Sequence, residues 1–104
     1  MEAKLNLETR TGSGKGAARK LRRAGRVPGV IYGAGSDNVL VSMEARETLL
    51  LLRAVPAEDT VFELSLDDGR TEQARVREVQ VHPYRTELLH VDFMRVQPDA
   101  AGAD

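Results

Sequence analysis

Six basic residues lie within a twelve-residue stretch near the amino terminus, and no acidic residue separates them. They are Lys15, Arg19, Lys20, Arg22, Arg23 and Arg26. Cations at this density repel one another, so they indicate either an anionic partner or a strongly hydrated surface. Glycines at 12, 14 and 16 surround the first cation, and glycine lets the backbone approach a ligand closely. The pattern favours contact with phosphate groups, and a hydrated face without a ligand is the alternative.

The glycine-rich cluster does not match the phosphate-binding loop of nucleotide hydrolases. That loop requires an earlier glycine where this chain has Thr9, and a hydroxyl side chain where it has Gly16. The spacing of the dinucleotide-binding fingerprint is absent as well. What remains is a predicted loop over 12–16, at the start of a helix, whose amide groups can meet a phosphate oxygen. A plain surface loop is the alternative.

A second polar group, near the carboxyl end, has side chains that are used in metal binding and acid–base catalysis. It comprises His82, Glu87, His90 and Asp92. Within a strand, His90 and Asp92 would share one face and lie roughly 6–7 Å apart along it. A zinc site needs three or four suitable ligands, whereas the chain has two histidines and no cysteine. A structural histidine or direct contact with a polar ligand is therefore favoured over a metal site or catalysis.

The net charge of −1 hides a strong asymmetry along the chain. Residues 1–36 carry eight basic and two acidic side chains, whereas residues 37–104 carry seven basic and fourteen acidic ones. A basic end joined to an acidic body is typical of a local nucleic-acid contact. The apolar fraction of 41% is sufficient for one modest core, so we expect a single domain.

The same composition disfavours several classes of protein. The chain has no cysteine, so disulfides and thiolate chemistry are excluded. No apolar run approaches the roughly 20 residues of a membrane span. The charged residues that follow Met1 do not resemble a secretory signal. We therefore expect no membrane partner and a location in a bacterial-type cytosol.

Apolar periodicity predicts the elements that must position these side chains. Alternating or short apolar runs predict strands at 4–10, 30–32, 38–42, 61–66, 71–81 and 88–96. Helical spacing predicts a basic helix that begins at Ala17 and ends at Gly25, and a second helix over 45–54. Residues 97–104 lack large apolar side chains, and we expect a disordered tail there. Six short strands and two short helices favour a small β-barrel.

Three local features refine this prediction. The Asp-Gly pair at 68–69 favours a tight hairpin turn. The apolar alternation of the fifth strand changes phase after Val76, which predicts a β-bulge near 77–78, with Val81 facing inward. Leucines at 50–51 widen the apolar face of the second helix, which indicates either core packing or a weak protein contact.

Two motifs carry a resemblance to a known family. Residues 14–33, GKGAARKLRRAGRVPGVIYG, and residues 82–93, HPYRTELLHVDF, resemble bacterial large-subunit ribosomal protein twenty-five. That family includes the Ctc-type general stress proteins, and the resemblance extends over about 4–96. It implies a mainly β fold, a small six-stranded barrel with two or three short helices, in one domain over 1–96. Many Ctc-type members add a second β domain, so we expect a short, single-domain form.

The resemblance also implies roles for particular residues. Family members bind 5S ribosomal RNA at its loop E region, and six positions of this chain match their RNA-facing residues. These are Arg10, Lys15, Arg22, Tyr32, His90 and Asp92. Arg19 and Lys20 extend the basic helix and complete the candidate site. The residue types agree, since cations suit phosphates while Tyr32, His90 and Asp92 supply donors and acceptors for a shallow RNA groove.

We therefore expect a non-catalytic, cytoplasmic protein of the large ribosomal subunit that binds 5S rRNA and stabilises it in the ribosome. Its expected partners are 5S rRNA, the large subunit and, as further candidates, neighbouring ribosomal proteins. We expect no DNA partner, no cofactor, no metal and a monomer when free. Arg22 is expected to be a surface cation, so its removal should affect binding more than folding.

Two other functions stay open. One is a small protein-interaction or stress module that uses the helix around Leu49–Leu52, with the basic segment merely hydrated. The other is a hydrolase that uses His82, His90 and Asp92. Full burial of residues 50–51 would weaken the first alternative, and lack of a concave pocket near His90 would exclude the second.

Overall fold

The computed structural model of the chain describes residues 2–10, 15–56 and 59–96. Gly12 and Gly14 of the predicted loop and the expected tail at 97–104 lie outside the described residues, so those predictions stay predictions. Within the described ranges the chain forms six strands and two helices.

The strands close into one barrel. In chain order the elements are β1 (Glu2–Thr9), α1 (Lys15–Arg23), β2 (Arg26–Gly33), β3 (Ser36–Glu44), α2 (Ala45–Ala54), β4 (Val61–Leu66), β5 (Thr71–Val81) and β6 (Leu88–Arg95). The order around the barrel is β1-β3-β2-β6-β5-β4. Neighbouring strands are antiparallel, except that β1 pairs with β4 and β2 with β6 in parallel. The predicted mainly β fold, a small six-stranded barrel with short helices, is confirmed.

The barrel interior is filled by the inward half of each alternating strand. Leu5 and Leu7 of β1 are buried as predicted. The residues that alternate with them, Lys4, Asn6 and Glu8, are exposed. Phe62 of β4 and Phe93 of β6 meet edge to face in the core, with ring centroids 6.1 Å apart. Because successive strand residues point to opposite faces, the other half of each strand remains outside for other contacts.

The bulge predicted in β5 is present. Val76 pairs with Phe93 of β6, but the next β5 residue that has a partner is Glu78, which pairs with Asp92. Arg77 is therefore the extra residue. Val76 and Val79 are separated by three residues, so regular alternation would turn their side chains to opposite faces. One extra residue between them returns both to the same face, which is why the phase change predicts the bulge.

Three local predictions are wrong. Gly16 lies in the first turn of α1 rather than in a loop. The strand predicted at 30–32 begins at Arg26, because β3 supplies a pairing partner for every residue from Arg26 to Ile31 and so overrides the breaking tendency of Pro28 and its neighbouring glycine. Val81 is 56% exposed, because the register of β5 against β6 shifts again just before it.

The hairpin between β4 and β5 has a three-residue loop rather than a two-residue turn. The Leu66 backbone N–H donates to the Arg70 carbonyl at 2.8 Å, and Gly69 between them has a φ of 95°. The loop is tied to the end of β1, because the Thr9 backbone N–H and hydroxyl both donate to an Asp67 carboxylate oxygen, at 3.0 and 2.9 Å. The loop is of the three-residue class in which a turn is followed by a residue in the left-handed region, here Gly69.

The second helix, α2, has the bounds that its apolar spacing predicts. The Glu44 carboxylate accepts from two backbone N–H groups of the first turn, at 3.2 and 2.6 Å. Thr48 is buried, and its hydroxyl donates to the Glu44 carbonyl at 2.7 Å. Leu50 is 52% exposed and Leu51 is half-buried, so apolar surface remains on this helix. Both described helices are too short and too polar to cross a lipid bilayer.

Gly29 marks a close approach between β2 and its neighbours. It pairs with Val41 of β3 and with Val91 of β6. A Cβ atom at this position would overlap the Val91 carbonyl oxygen and lie 2.9 Å from the terminal methyl group of Met43. Backbone cannot move aside as the end of a flexible side chain can, so this position requires glycine.

We expect Gly29→Ala to destabilise the fold by about 1–3 kcal/mol, because the added methyl group overpacks the β2–β6 contact. The midpoint of urea unfolding would measure this loss. Gly16→Ala is the matched control, since no described atom lies within 4 Å of its added methyl group. In a helix that change should stabilise by about 0.5–1 kcal/mol. Equal midpoints for the two variants would contradict the close approach.

Candidate nucleic-acid interface

The parallel pairing of β2 with β6 brings three of the predicted site residues together. Val30 pairs with Asp92. Tyr32 lies two residues after Val30 along β2, and His90 lies two residues before Asp92 along β6, so all three polar side chains are on the outer face of the barrel. The Tyr32 hydroxyl donates a long hydrogen bond of 3.4 Å to Asp92 Oδ2. His90 Nδ1 lies 2.6 Å from Asp92 Oδ1. We call Tyr32, His90 and Asp92 the polar cluster.

Asp92 is the centre of the polar cluster. Its Oδ1 atom is buried, and the short contact to His90 lacks hydrogen-bond geometry, so the strength of that contact depends on the charge of the imidazole. The side chain as a whole is 18% exposed, against 28% for His90. Oδ1 is thus enclosed by the protein beside His90, while Oδ2 has only the long contact with Tyr32.

The same surroundings change the acidity of Tyr32. Desolvation raises the pKa of its phenol above the ordinary value of 10, and the negative charge of Asp92 raises it further. Arg77 acts in the opposite direction and Glu78 in the same direction as Asp92. The phenol therefore keeps its proton, and Tyr32 can act as a hydrogen-bond donor.

The basic helix α1 is attached beside the polar cluster by Arg22. Its Nη1 donates to the carbonyl oxygen of Leu89, the residue before His90, at 3.2 Å. Arg22 is half-buried, so the expectation of a simple surface cation is wrong, and its removal should loosen α1 as well as remove a charge. Lys15, Arg19 and Lys20 are exposed on the same helix, as a phosphate-binding surface requires.

Arg10 lies on the other side of β2, at the end of β1. Its backbone N–H donates to the Leu40 carbonyl at 3.0 Å, and its Nε donates to the Val41 carbonyl at 2.9 Å. Burial lowers the pKa of the Arg10 guanidinium below its ordinary value. Val41, Gly29 and Val91 are register partners across β3, β2 and β6, so Arg10 is at the height of the polar cluster.

One cation beside the polar cluster, Arg77, is absent from the predicted site. The guanidinium of Arg77 lies over the Tyr32 ring, 5.4 Å from its centroid. The phase change in β5 predicts the bulge that carries Arg77, but no local pattern shows which ring a side chain on another strand will cover. By contrast Arg26, which belongs to the basic stretch, donates to Ser42 with two of its nitrogens, at 2.9 and 3.0 Å.

Of the residues considered for metal or acid–base chemistry, His90 and Asp92 are in contact with each other. His82 Nδ1 accepts from the Tyr84 backbone N–H at 3.1 Å, within the loop that precedes β6. In the described part of the chain, no three His, Cys, Asp or Glu side chains group as a metal ion requires. A shallow groove of about 270 Å³ lies elsewhere, between α2 and that loop. It is lined by Ala45, Arg46, Leu49, Thr86, Glu87 and Leu88.

Comparison with protein families agrees with the resemblance in the two motifs. The model of the ribosomal L25p family matches residues 5–93, from β1 to β6. The chain belongs to the ribosomal L25p family. Both the basic helix and the polar cluster lie within the matched range, so the interface consists of parts that the family model covers.

Curated relatives carry the name large ribosomal subunit protein bL25. The protein of Chromobacterium violaceum is 40% identical over 96 residues, which are 92% of this chain and 100% of the relative. The protein of Syntrophobacter fumaroxidans is 44% identical over 102 residues, 95% of this chain and 51% of the relative. The protein of Nitrosomonas europaea is 35% identical over 99 residues, which are 95% of this chain and 50% of the relative. The chain thus spans about half the length of several curated relatives that it matches.

The pKa of Tyr32 can be measured without RNA. In a Tyr84→Phe background Tyr32 is the only tyrosine, and its phenol should ionise above pH 10. Asp92→Asn should move this pKa back toward 10, because it removes both the charge and the carboxylate acceptor. Ultraviolet absorbance followed against pH gives the pKa.

The raised pKa of Tyr32 makes the stability of the fold depend on pH. The folded state holds the phenol proton more tightly than the unfolded chain does, so this contribution to stability is present below pH 10. It is lost as the pH rises through the raised pKa. An identical Tyr32 titration with and without Asp92→Asn would show that the carboxylate does not act on the ring.

Proposed function

We propose that the protein is a non-catalytic component of the bacterial large ribosomal subunit in the cytoplasm, where it binds and stabilises 5S ribosomal RNA at the loop E region. The contacts would be made to phosphates and to groups in the minor groove. The observation that carries this proposal is the attachment of α1 to β6 through Arg22 and Leu89. It places an exposed basic helix directly beside a cluster of fixed donors and acceptors.

The family supports the large-subunit part of the proposal. Proteins named large ribosomal subunit protein bL25 match nearly the whole of this chain, and one of them is matched over its full length. The specific partner, 5S rRNA, rests on the residue-by-residue resemblance of the site. It also rests on the separation of the charges, since a basic helix on an acidic body directs an anion to one face.

The shape of the interface favours a groove over unpaired bases. Proteins that bind single-stranded RNA present several aromatic rings for stacking, whereas aromatics make up 4% of this chain. Tyr32 is engaged with both Asp92 and Arg77, so it is held as a donor rather than presented as a stacking ring. Irregular RNA helices offer 2′-hydroxyls and base edges that such fixed groups can recognise.

Asp92 has two tasks in this proposal. Its buried Oδ1 lies 2.6 Å from His90 Nδ1, so Nε2 is the imidazole nitrogen that is left to meet an RNA group. Its Oδ2 accepts from a base amino group or a 2′-hydroxyl. A carboxylate beside phosphates is electrostatically unfavourable, so its presence here is explained by a hydrogen bond that a cation cannot make.

The salt dependence of binding tests the electrostatic part. If about five cations contact phosphates, log affinity for a 5S RNA fragment that contains loop E should fall against log salt with a slope of roughly −3.5 to −4.5. Combined Arg19→Ala and Lys20→Ala should reduce the slope by about 1.4–1.8. Arg53→Ala removes one exposed cation of α2, outside the candidate site, and is the control that should leave the slope unchanged. A wild-type slope near zero would exclude the proposal.

Substitutions of the polar cluster test recognition. Asp92→Asn and Asp92→Ala should both weaken binding of the same fragment, by about 1–3 kcal/mol, although each lowers the negative charge. His90→Ala should change affinity in the same direction, with the barrel still folded by circular dichroism. Glu78→Gln is the matched control, since this exposed acid pairs with Asp92 in the sheet. It should leave binding unchanged or strengthen it. If Asp92→Ala behaves like Glu78→Gln, Asp92 is only a hydrated carboxylate.

A further inference from the structure

The bulge in β5 gives Arg77 an unusual position. Its neighbours Val76 and Glu78 pair with consecutive β6 residues, Phe93 and Asp92, so Arg77 has no partner in the ladder. A bulge bends its strand and redirects the extra side chain, and bulges often lie beside functional sites for that reason. Here the redirected side chain points across the polar cluster rather than along β5.

Arg77 crosses a whole strand to reach Tyr32. In the barrel β6 lies between β5 and β2, so the two residues are two strand spacings apart, roughly 10 Å. The guanidinium nevertheless lies 5.4 Å from the centre of the Tyr32 ring. The side chain therefore passes over the part of β6 that carries Asp92, and it places a positive charge where the carboxylate would otherwise repel phosphate.

The contact with the ring leaves the donors of Arg77 unused. A cation–π contact is an electrostatic attraction to the ring face and uses no hydrogen-bond acceptor, and a guanidinium carries five N–H donors. Within the described residues, no carboxylate lies within ion-pair distance of Arg77. The ring thus holds the guanidinium in position, and the side chain is exposed, a combination that suits bidentate binding of phosphate.

We propose that Arg77 is a further RNA-binding residue, which holds the Tyr32 ring by a cation–π contact and binds an RNA phosphate with its N–H groups. The inference rests on the proposed function and adds to the interface a second phosphate-binding side, formed by Arg77 of β5 opposite the cations of α1. Phosphates on one side of the bound groove meet the cations of α1, and a phosphate on the other side meets β5. The polar cluster lies between these two edges and reads the groove.

Three substitutions measured on the 5S RNA fragment test this role. Arg77→Gln should weaken binding about tenfold and make the salt slope shallower by about 0.7–0.9, because one phosphate contact is lost. Arg77→Lys keeps the charge, so it should keep the slope but lose about two- to fivefold in affinity through poorer stacking on Tyr32. Arg53→Gln removes an equal charge on α2 and should change neither quantity.

The outcomes separate the two proposals. If the wild-type protein binds the fragment and Arg77→Gln matches Arg53→Gln in affinity and slope, Arg77 is not a binding residue and the proposed function stands. If Arg77→Gln loses affinity with an unchanged slope, Arg77 only positions Tyr32 and the phosphate contact is wrong. If the wild-type protein does not bind, both proposals are overturned.

Discussion

The parallel pairing of β2 with β6 is the contact on which both the barrel and the candidate interface depend. Gly29 permits the two backbones to approach, since any side chain there would meet the Val91 carbonyl. The same pairing sets Tyr32 beside Asp92, on the outer face of the barrel. Closure of the fold and assembly of the polar cluster are therefore one event. A substitution that separates β2 from β6 would therefore disrupt both the polar cluster and the packing of the barrel.

The basic helix shows how a weak element is held in position. α1 is nine residues long, has no fully buried residue and carries like charges, so it would be unstable as an isolated helix. Gly25 ends it with a φ of 82°, and the Gly25 carbonyl accepts from the first backbone N–H of α2 at 2.9 Å. Arg22 then fastens it to β6. An anion bound to the helix would relieve the repulsion among its cations, so binding and local order are expected to reinforce each other.

Arginine has two different uses in this molecule. Arg95 is buried at one end of the barrel, where it donates to the Gly33 and Asp37 carbonyls, both at 3.0 Å, and holds the turn between β2 and β3. Arg26 is similarly bonded to Ser42. The N–H donors that these two guanidinium groups give to the protein are not available to RNA. A count of basic residues in the sequence therefore exceeds the number of cations that RNA can contact. The hydrogen bonds in the fold show which arginines are bonded within the protein.

The sequence alone determined those features that depend on neighbours along the chain. Alternation at Leu5 and Leu7, the helix over Ala45–Ala54 and the phase change after Val76 each reflect which side of an element is buried, and each could be predicted. Tertiary structure decided what pairs across strands. Pro28 lies in a strand because β3 pairs with it, Thr9 donates to Asp67 of the β4–β5 loop, and Arg22 donates to a carbonyl of β6. The contact between Arg77 and Tyr32 is of the same kind, because side chains that are far apart along the chain meet only when the barrel closes.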